Sequence, residues 1–164
     1  MALPQRLTHT IDDIYALPGG QRAELIDGQI YMMAPPNTDH QRISHLLEWE
    51  FAVFLNKDTH NYLEPDISVI CDKNKLDEKG CNGAPDWIIE ITSPTDPQRD
   101  YGVKLFKYRT AGVREYWIVN PQKNTITVFD FEKETQSNQY SWDDDIPVCI
   151  YGYFILNINK LLQQ

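Results

Sequence analysis

Acidic residues in or beside short apolar segments are the residues of this sequence best placed to do chemistry. The chain contains two Pro-Asp dipeptides, Pro65-Asp66 and Pro85-Asp86, and Glu90 stands within the apolar segment 87–92. A carboxylate in an apolar segment is rarely buried unless it is paired or binds a metal. Hard divalent ions prefer oxygen ligands, at about 2.1 Å for Mg²⁺. These acids therefore predict a carboxylate metal site.

Strand geometry decides which aspartate could share an ion with Glu90. Asp86 lies four positions before Glu90, and residues i and i+4 of one strand are about 13 Å apart. Asp66 opens a neighbouring predicted strand, and side chains opposite each other on paired strands come within about 5 Å. We therefore predict that Asp66 and Glu90 bind the metal, with their carboxylates converging within about 5 Å at one end of adjacent strands.

A lysine is the expected third member of such a site. In metal-assisted phosphodiester hydrolysis the ion lowers the pKa of a bound water, and a nearby lysine can orient that water or stabilise the transition state. The position two residues after Glu90 is Thr92, so we choose Lys104 in the following predicted helix as the replacement. Asp100 and Lys104 also have i, i+4 spacing, and the simpler interpretation is a surface ion pair worth a few tenths of a kcal/mol.

The chain is acidic overall but basic in one segment. Its formal net charge of −9 opposes non-specific nucleic-acid binding, because affinity for phosphates comes mainly from Lys and Arg. The basic segment 99–114 nevertheless holds five basic residues against one acid, Asp100. Lys107 and Arg109 in this segment are our candidates for nucleic-acid contacts, and an ordinary solvated helix face is the alternative.

The elements that must position these residues follow an α/β pattern. Thr10 is a suitable N-cap for a short helix through Ala16, and Asp27-Gly28 between segments 23–26 and 30–33 predicts a β-hairpin. Apolar residues at three- and four-residue spacing over 39–55 predict the main packing helix.

The later part of the chain alternates strands with one helix. Short apolar segments predict buried strands at 67–71 and 87–92, joined by a polar loop at 72–83. Helical spacing predicts a second helix over 101–110, which ends near Ala111-Gly112. Further strands are predicted at 116–119 and 125–131, followed by a weak strand near Val148.

Length and composition favour a single domain. The 164 residues, 41% of them apolar, suffice for one substantial core. We predict an N-terminal helix and hairpin at 10–34, a core at 37–131 and a C-terminal extension at 132–164. No apolar stretch approaches the ~20 residues that cross a bilayer, and the three cysteines lack disulfide-framework or zinc spacing. We expect a cytoplasmic protein without a membrane segment.

Several segments, in order between Glu24 and Phe131, resemble the Uma-two family of restriction-endonuclease-like proteins. They are Glu24-Leu25-Ile26-Asp27-Gly28, Pro35-Pro36 before His40, Pro65-Asp66, the run from Pro85 through Glu90 to Pro94, Asp100 with Lys104, Lys107-Tyr108, Ala111-Gly112-Val113, and the run from Glu115 to Val119. Together they extend well beyond any single short motif.

The resemblance implies an α/β fold of the PD-(D/E)XK nuclease type, with a mixed central β-sheet flanked by helices. It also implies Asp and Glu metal ligands on adjacent strands, and it places Glu24, Asp66, Glu90 and Lys104 at the site. The superfamily's Glu-x-Lys is Glu-x-Thr here, at Glu90 to Thr92.

The combined interpretation is a DNA endonuclease that depends on Mg²⁺ or Mn²⁺. Asp66 and Glu90 would hold the metal, Glu24 would assist metal binding or position water, and Lys104 would stabilise charge. The alternatives are a catalytically silent nuclease-fold module that binds DNA or protein, and a metal-dependent hydrolase of another phosphoester. A homodimer is compatible with this interpretation, since cutting both strands usually takes two active sites.

Overall fold

A computed structural model describes residues 8–33, 52–55, 58–93, 97–133 and 137–163. Their regular elements, in chain order, are α1 (Ile11–Tyr15), β1 (Ala23–Ile26), β2 (Gln29–Met32), β3 (Val53–Phe54), β4 (Ile67–Val69), β5 (Leu76–Asp77), β6 (Gly80–Asn82), β7 (Trp87–Ile91), α2 (Leu105–Ala111), β8 (Glu115–Asn120), β9 (Thr125–Asp130), β10 (Asn138–Ser141), β11 (Ile146–Pro147), β12 (Ile155–Leu156) and α3 (Ile158–Leu162).

A five-stranded mixed sheet with the order β10-β9-β8-β7-β4 forms the centre of the fold. Strands β7 and β8 are parallel, and the other neighbouring pairs are antiparallel. The crossover between β7 and β8 is helical: Pro97–Arg99 leads into a π-helical turn, Asp100–Lys104, and then into α2. This architecture confirms the predicted α/β class with a mixed sheet and helices.

Alternation along β7 supplies both layers of the core, and every residue of this strand is buried. Trp87, Ile89 and Ile91 pack in a cluster that includes Ile158 of α3. Ile88 faces the other cluster, which contains Tyr108 of α2. Because side chains alternate between the faces of a strand, Glu90 projects toward the α2 side.

The N-terminal helix and hairpin form as predicted. Thr10 is the N-cap of α1, and its backbone N–H donates to Asp13 Oδ2 at 2.8 Å. Asp27 and Gly28 have φ values of 49° and 71°, as a tight type I′ turn between β1 and β2 requires. The hairpin joins the rest of the fold through Leu25, whose N–H donates to the Tyr62 carbonyl at 2.7 Å.

The prediction of one helix over 39–55 is wrong at its C-terminal end. Residues 39–51 lie outside the described residues, whereas Val53–Phe54 form β3, parallel to β6. The Val53 N–H donates to the Leu63 carbonyl at 2.7 Å, and Val53 and Leu63 are fully buried. Strand pairing and burial therefore override the helical spacing at this end.

The predicted polar loop at 72–83 is also wrong in part. It contains a 3₁₀ turn, Lys73–Lys75, and the antiparallel strands β5 and β6. Strand β6 pairs with β3 as well, which buries Cys81. Gly80 permits this arrangement, because its φ is 141° and a Cβ there would lie 2.2 Å from the Ala52 carbonyl oxygen.

The C-terminal extension packs onto the central sheet through Glu115 of β8. This buried carboxylate accepts hydrogen bonds from Trp117 Nε1 at 2.6 Å and from the backbone N–H groups of Cys149 and Ile150 at 3.0 Å each. Strand β11 lies next to the predicted weak strand near Val148. The division of the whole chain into one domain with three parts stays a prediction.

Candidate active site

A buried lysine lies among three carboxylates on the α2 side of the sheet. Lys104 Nζ is 2.9 Å from Glu24 Oε1, 2.9 Å from Glu90 Oε1 and 3.7 Å from Asp100 Oδ1. These four residues, which we call the Lys104 cluster, are between 0% and 6% exposed. The simpler interpretation of Asp100 and Lys104 as a surface ion pair is therefore wrong.

Three separate parts of the fold supply the cluster. Glu24 comes from β1 and Glu90 from the even-numbered face of β7, while Asp100 and Lys104 both come from the π-helical turn. Such turns are rare, and many occur at functional sites. Thr92, at the position of the expected lysine, is buried, and its hydroxyl donates to the Val119 carbonyl at 3.3 Å. The ammonium that contacts Glu90 comes instead from Lys104 of the π-helical turn.

Asp66 lies at the edge of this cluster, opposite Glu90. Strand β4 is antiparallel to β7 with Ile67 paired to Ile89, and the same register places Asp66 across from Glu90. Asp66 Oδ2 accepts a hydrogen bond from the Ile91 N–H at 2.7 Å. The register agrees with the predicted pair, and convergence of the two carboxylates within about 5 Å stays a prediction.

Burial and mutual attraction set the protonation of the cluster. Burial raises the pKa of Glu90 well above its usual range; Asp66, Asp100 and Glu24 raise it further, whereas Lys104 lowers it. Burial also raises the pKa of Asp100 to about 6, against the cations Lys104 and Arg99. The pKa of Lys104 is raised because the three carboxylates outweigh the effect of its burial. Lys104 therefore carries its charge at neutral pH.

Tyr108 is a member of the site that the sequence patterns did not assign. Its hydroxyl donates to Glu90 Oε1 at 2.6 Å, and the residue is fully buried. Asp100, Lys104 and Tyr108 follow at intervals of four residues, which places side chains on one side of a helix. That spacing, together with Glu90, is the signal that could have identified Tyr108.

The donor set fits a hard divalent ion such as Mg²⁺ or Mn²⁺. All candidate ligands are carboxylate oxygens, and Glu24 Oε2 is buried without a hydrogen-bond partner. Among the residues that the structure describes, no three His, Cys, Asp or Glu side chains form a group ready to hold a metal. Mg²⁺ commonly uses one or two protein carboxylates and keeps several waters, which is compatible with the predicted pair Asp66 and Glu90.

The basic segment does not form one continuous cationic surface. Lys107 pairs with Asp27, while Arg114 pairs with Asp86 and Glu132. Arg109 is exposed, and its guanidinium lies 5.9 Å from the centre of the Phe131 ring. The structure thus leaves Arg109 accessible and gives Lys107 a carboxylate partner.

No helix in the described part of the chain has the length and apolar character needed to cross a bilayer.

Comparisons with known proteins agree with this fold. The model of the Uma2 (Uma-two) family, described as "Putative restriction endonuclease", matches residues 11–149. An uncharacterised protein of Synechocystis sp. is 28% identical over 125 residues, which cover 66% of each chain, so this chain spans about two thirds of that curated relative.

A crystal structure from Anabaena variabilis, described as "a putative nuclease belonging to DUF820", shares the fold. Its TM-score is 0.73 at 22% identity, and the match covers 94% of this chain and 97% of that one. Since the family model extends over most of its length, the chain belongs to the Uma2 family.

Proposed function

We propose that this protein is a metal-dependent endonuclease that hydrolyses phosphodiester bonds in DNA. The observation that carries the proposal is the buried Lys104 ammonium, 2.9 Å from both Glu24 Oε1 and Glu90 Oε1. Membership of a family described as "Putative restriction endonuclease" supports a nuclease-type function. Metal dependence and the DNA substrate are the parts that we add.

Asp66 and Glu90 would hold Mg²⁺ or Mn²⁺ in this proposal. When bound, the ion would offset charge on the scissile phosphate and lower the pKa of a water ligand. The chain itself prepares the two carboxylates: the Ile91 N–H holds Asp66, and Tyr108 and Lys104 both donate to Glu90 Oε1. Each carboxylate therefore has a fixed orientation before substrate arrives.

Lys104 would stabilise the negative charge that develops on phosphate oxygens. Its carboxylate neighbours keep it protonated, and a fixed cation in a water-poor site stabilises developing charge more strongly than one in water. Glu24 would position Lys104 through its Oε1. Its unpartnered Oε2 would accept a hydrogen bond from a water near the metal.

DNA binding has to overcome the acidic charge of the chain. We expect Lys107 and Arg109 to contact phosphates, with Lys107 exchanging Asp27 for a phosphate oxygen. Carboxylates at the site repel DNA until a divalent ion neutralises them, so binding should strengthen when the ion is added. A cytoplasmic location and a homodimer stay predictions that accompany this function.

A catalytically silent binding module is the second candidate. Two features of the sequence favour it: the net charge of −9 opposes DNA binding, and Thr92 stands at the position of the expected lysine. A silent module would bind DNA or a protein with this fold but would leave phosphodiester bonds intact under every metal.

Plasmid cleavage combined with metal binding separates these candidates. Wild type, Glu90→Gln and Lys104→Ala are incubated with supercoiled plasmid and Mg²⁺, Mn²⁺ or Ca²⁺, and metal affinity is measured by calorimetry. Glu132→Gln is the matched control, because Glu132 is an exposed carboxylate paired with Arg114.

We expect Mg²⁺ and Mn²⁺ to support cleavage and Ca²⁺ to support binding with little cleavage, since Ca²⁺ is larger and more flexibly coordinated. Glu90→Gln should lose both metal affinity and cleavage. Lys104→Ala should lose cleavage but keep most metal affinity, because an ammonium is not a ligand. A folded wild type that binds DNA and never cuts would establish the silent module, and one without metal-dependent nucleic-acid affinity would leave another phosphoester as substrate.

A further inference from the structure

Arg99 is a cation next to the Lys104 cluster, and one of its donors, Nε, is buried without an acceptor. Its side chain as a whole is half-buried. No ion pair to Arg99 is found among the described residues. A guanidinium carries five N–H donors, and a buried donor without an acceptor costs free energy unless a ligand supplies one.

The structure holds this guanidinium at the edge of the site. Its central carbon lies 5.8 Å from the centre of the Tyr31 ring, within the range of a cation–π contact. Tyr31 of β2 is paired directly with Glu24 of β1, and opposite residues of an antiparallel pair share a face. Arg99 also precedes Asp100 in the chain, and its positive charge lowers the pKa of the Asp100 carboxyl. The guanidinium therefore lies near the carboxylate of Asp100 and against the ring of the residue that pairs with Glu24.

Three other cations of the basic segment 99–114 are already engaged by carboxylates. Lys104 is buried among its carboxylates, and Lys107 pairs with Asp27. Arg114 pairs with Asp86 and Glu132. Arg99 differs, because it lies near Asp100 of the cluster and its buried Nε has no hydrogen-bond partner.

We propose that Arg99 binds a phosphate group of the nucleic-acid substrate next to the Lys104 cluster and positions the strand for cleavage. This inference rests on the proposed nuclease function. Phosphate oxygens match the planar fork of a guanidinium and accept two parallel hydrogen bonds. The Tyr31 ring restricts the guanidinium orientation, so little side-chain freedom remains to be lost on binding. A fixed positive charge also offsets the repulsion between the acidic site and the DNA backbone.

A binding experiment with matched variants tests this role. A fluorescent DNA duplex of about 20 base pairs is titrated with wild type, Arg99→Gln, Arg99→Lys and Lys133→Gln in Ca²⁺, at several salt concentrations, and anisotropy is measured. Lys133 is the control, because it is an exposed lysine with 67% relative side-chain exposure and it follows β9, at the end of the sheet away from Glu90. Circular dichroism and thermal melting verify that each variant is folded.

We expect Arg99→Gln to weaken DNA affinity roughly tenfold and to reduce the slope of log affinity against log salt by about one. Arg99→Lys should keep the salt slope but lose several-fold in affinity, because it retains the charge without the fork. Lys133→Gln should match wild type. A purely structural Arg99 would lower the melting temperature and leave the salt slope unchanged.

The outcomes separate this inference from the proposed function. Wild-type affinity and salt slope in both folded Arg99 variants would overturn the phosphate role while leaving plasmid cleavage as evidence for a nuclease. If Arg99→Gln does not fold, undiminished affinity in Arg99→Lys would refute the claim that the guanidinium of Arg99 binds phosphate through two hydrogen bonds. A wild type that shows no DNA binding and no cleavage would overturn both proposals.

Discussion

Removing the buried cation of the Lys104 cluster is the most informative test of the site's electrostatics. Lys104→Met keeps most of the side-chain volume and removes the charge. It leaves the carboxylates of Glu24, Glu90 and Asp100 buried without their shared partner. Breaking a buried ion pair from one side costs about 3–5 kcal/mol, because the remaining charge is uncompensated. We expect a loss of this size in the free energy of unfolding at pH 8.

The loss should depend on pH in a defined direction. The pKa of Asp100 is raised from 3.8 to about 6 in the folded protein, so the folded state binds this proton more tightly than the unfolded chain. The contribution of Asp100 to stability therefore falls as pH rises from about 4 to about 6, by roughly 3 kcal/mol. Without Lys104, the pKa values of Glu90 and Asp100 should rise further. Protonation at pH 5 should then relieve part of the cost in the variant.

Urea unfolding of both proteins at pH 5 and pH 8 measures this difference. We expect the destabilisation by Lys104→Met to be smaller at pH 5 than at pH 8 by at least about 1 kcal/mol. Lys73→Met removes an exposed lysine that forms no ion pair with any residue that the structure describes, and it should leave the unfolding midpoint unchanged at both pH values. Equal destabilisation at the two pH values would refute the idea that Lys104 compensates buried carboxylates.

Three further substitutions test one hydrogen bond of the site and two features of the surrounding fold. Tyr108→Phe removes the donor to a buried carboxylate oxygen at 2.6 Å and should cost about 1.5–3 kcal/mol in urea unfolding; an unchanged midpoint would show that the contact is weak. Glu115→Gln replaces an acceptor of three N–H groups and should speed hydrogen exchange of the two backbone amides that it holds, whereas unchanged exchange would contradict its anchoring role. Gly80→Ala should cost about 2 kcal/mol or more, because φ is positive and the new Cβ would lie 2.2 Å from the Ala52 carbonyl oxygen; Gly19→Ala, with nothing within 4 Å, is its control.

Local chemistry determined the parts of the structure that depend on chain neighbours. Asp27-Gly28 between two apolar segments predicts a hairpin, and the positive φ values of both residues agree with it. Thr10 predicts the start of α1 in the same way. The apolar run around Glu90 predicts a buried strand, and every residue of β7 is buried in the structure. These patterns succeed because they reflect backbone geometry and side-chain spacing within a few residues.

Strand geometry also indicated which acids face each other. Asp86 lies four positions before Glu90 along the chain, which is too far for the two to share an ion. The antiparallel register places Asp66 across from Glu90. Asp86 instead accepts from the Cys71 N–H and pairs with Arg114. This part of the site could be predicted because the rise per residue in a strand is nearly constant.

Only the tertiary structure determined how the helix and hairpin complete the site. The π-helical turn brings Lys104 against Glu24 of a distant strand, and α2 brings Tyr108 against Glu90. Tertiary structure also determined that Val53 lies in a strand and pairs with Leu63, where the sequence predicts a helix. No local pattern encodes these contacts, because they depend on how separate elements pack and on the free-energy cost of burying charge without a partner.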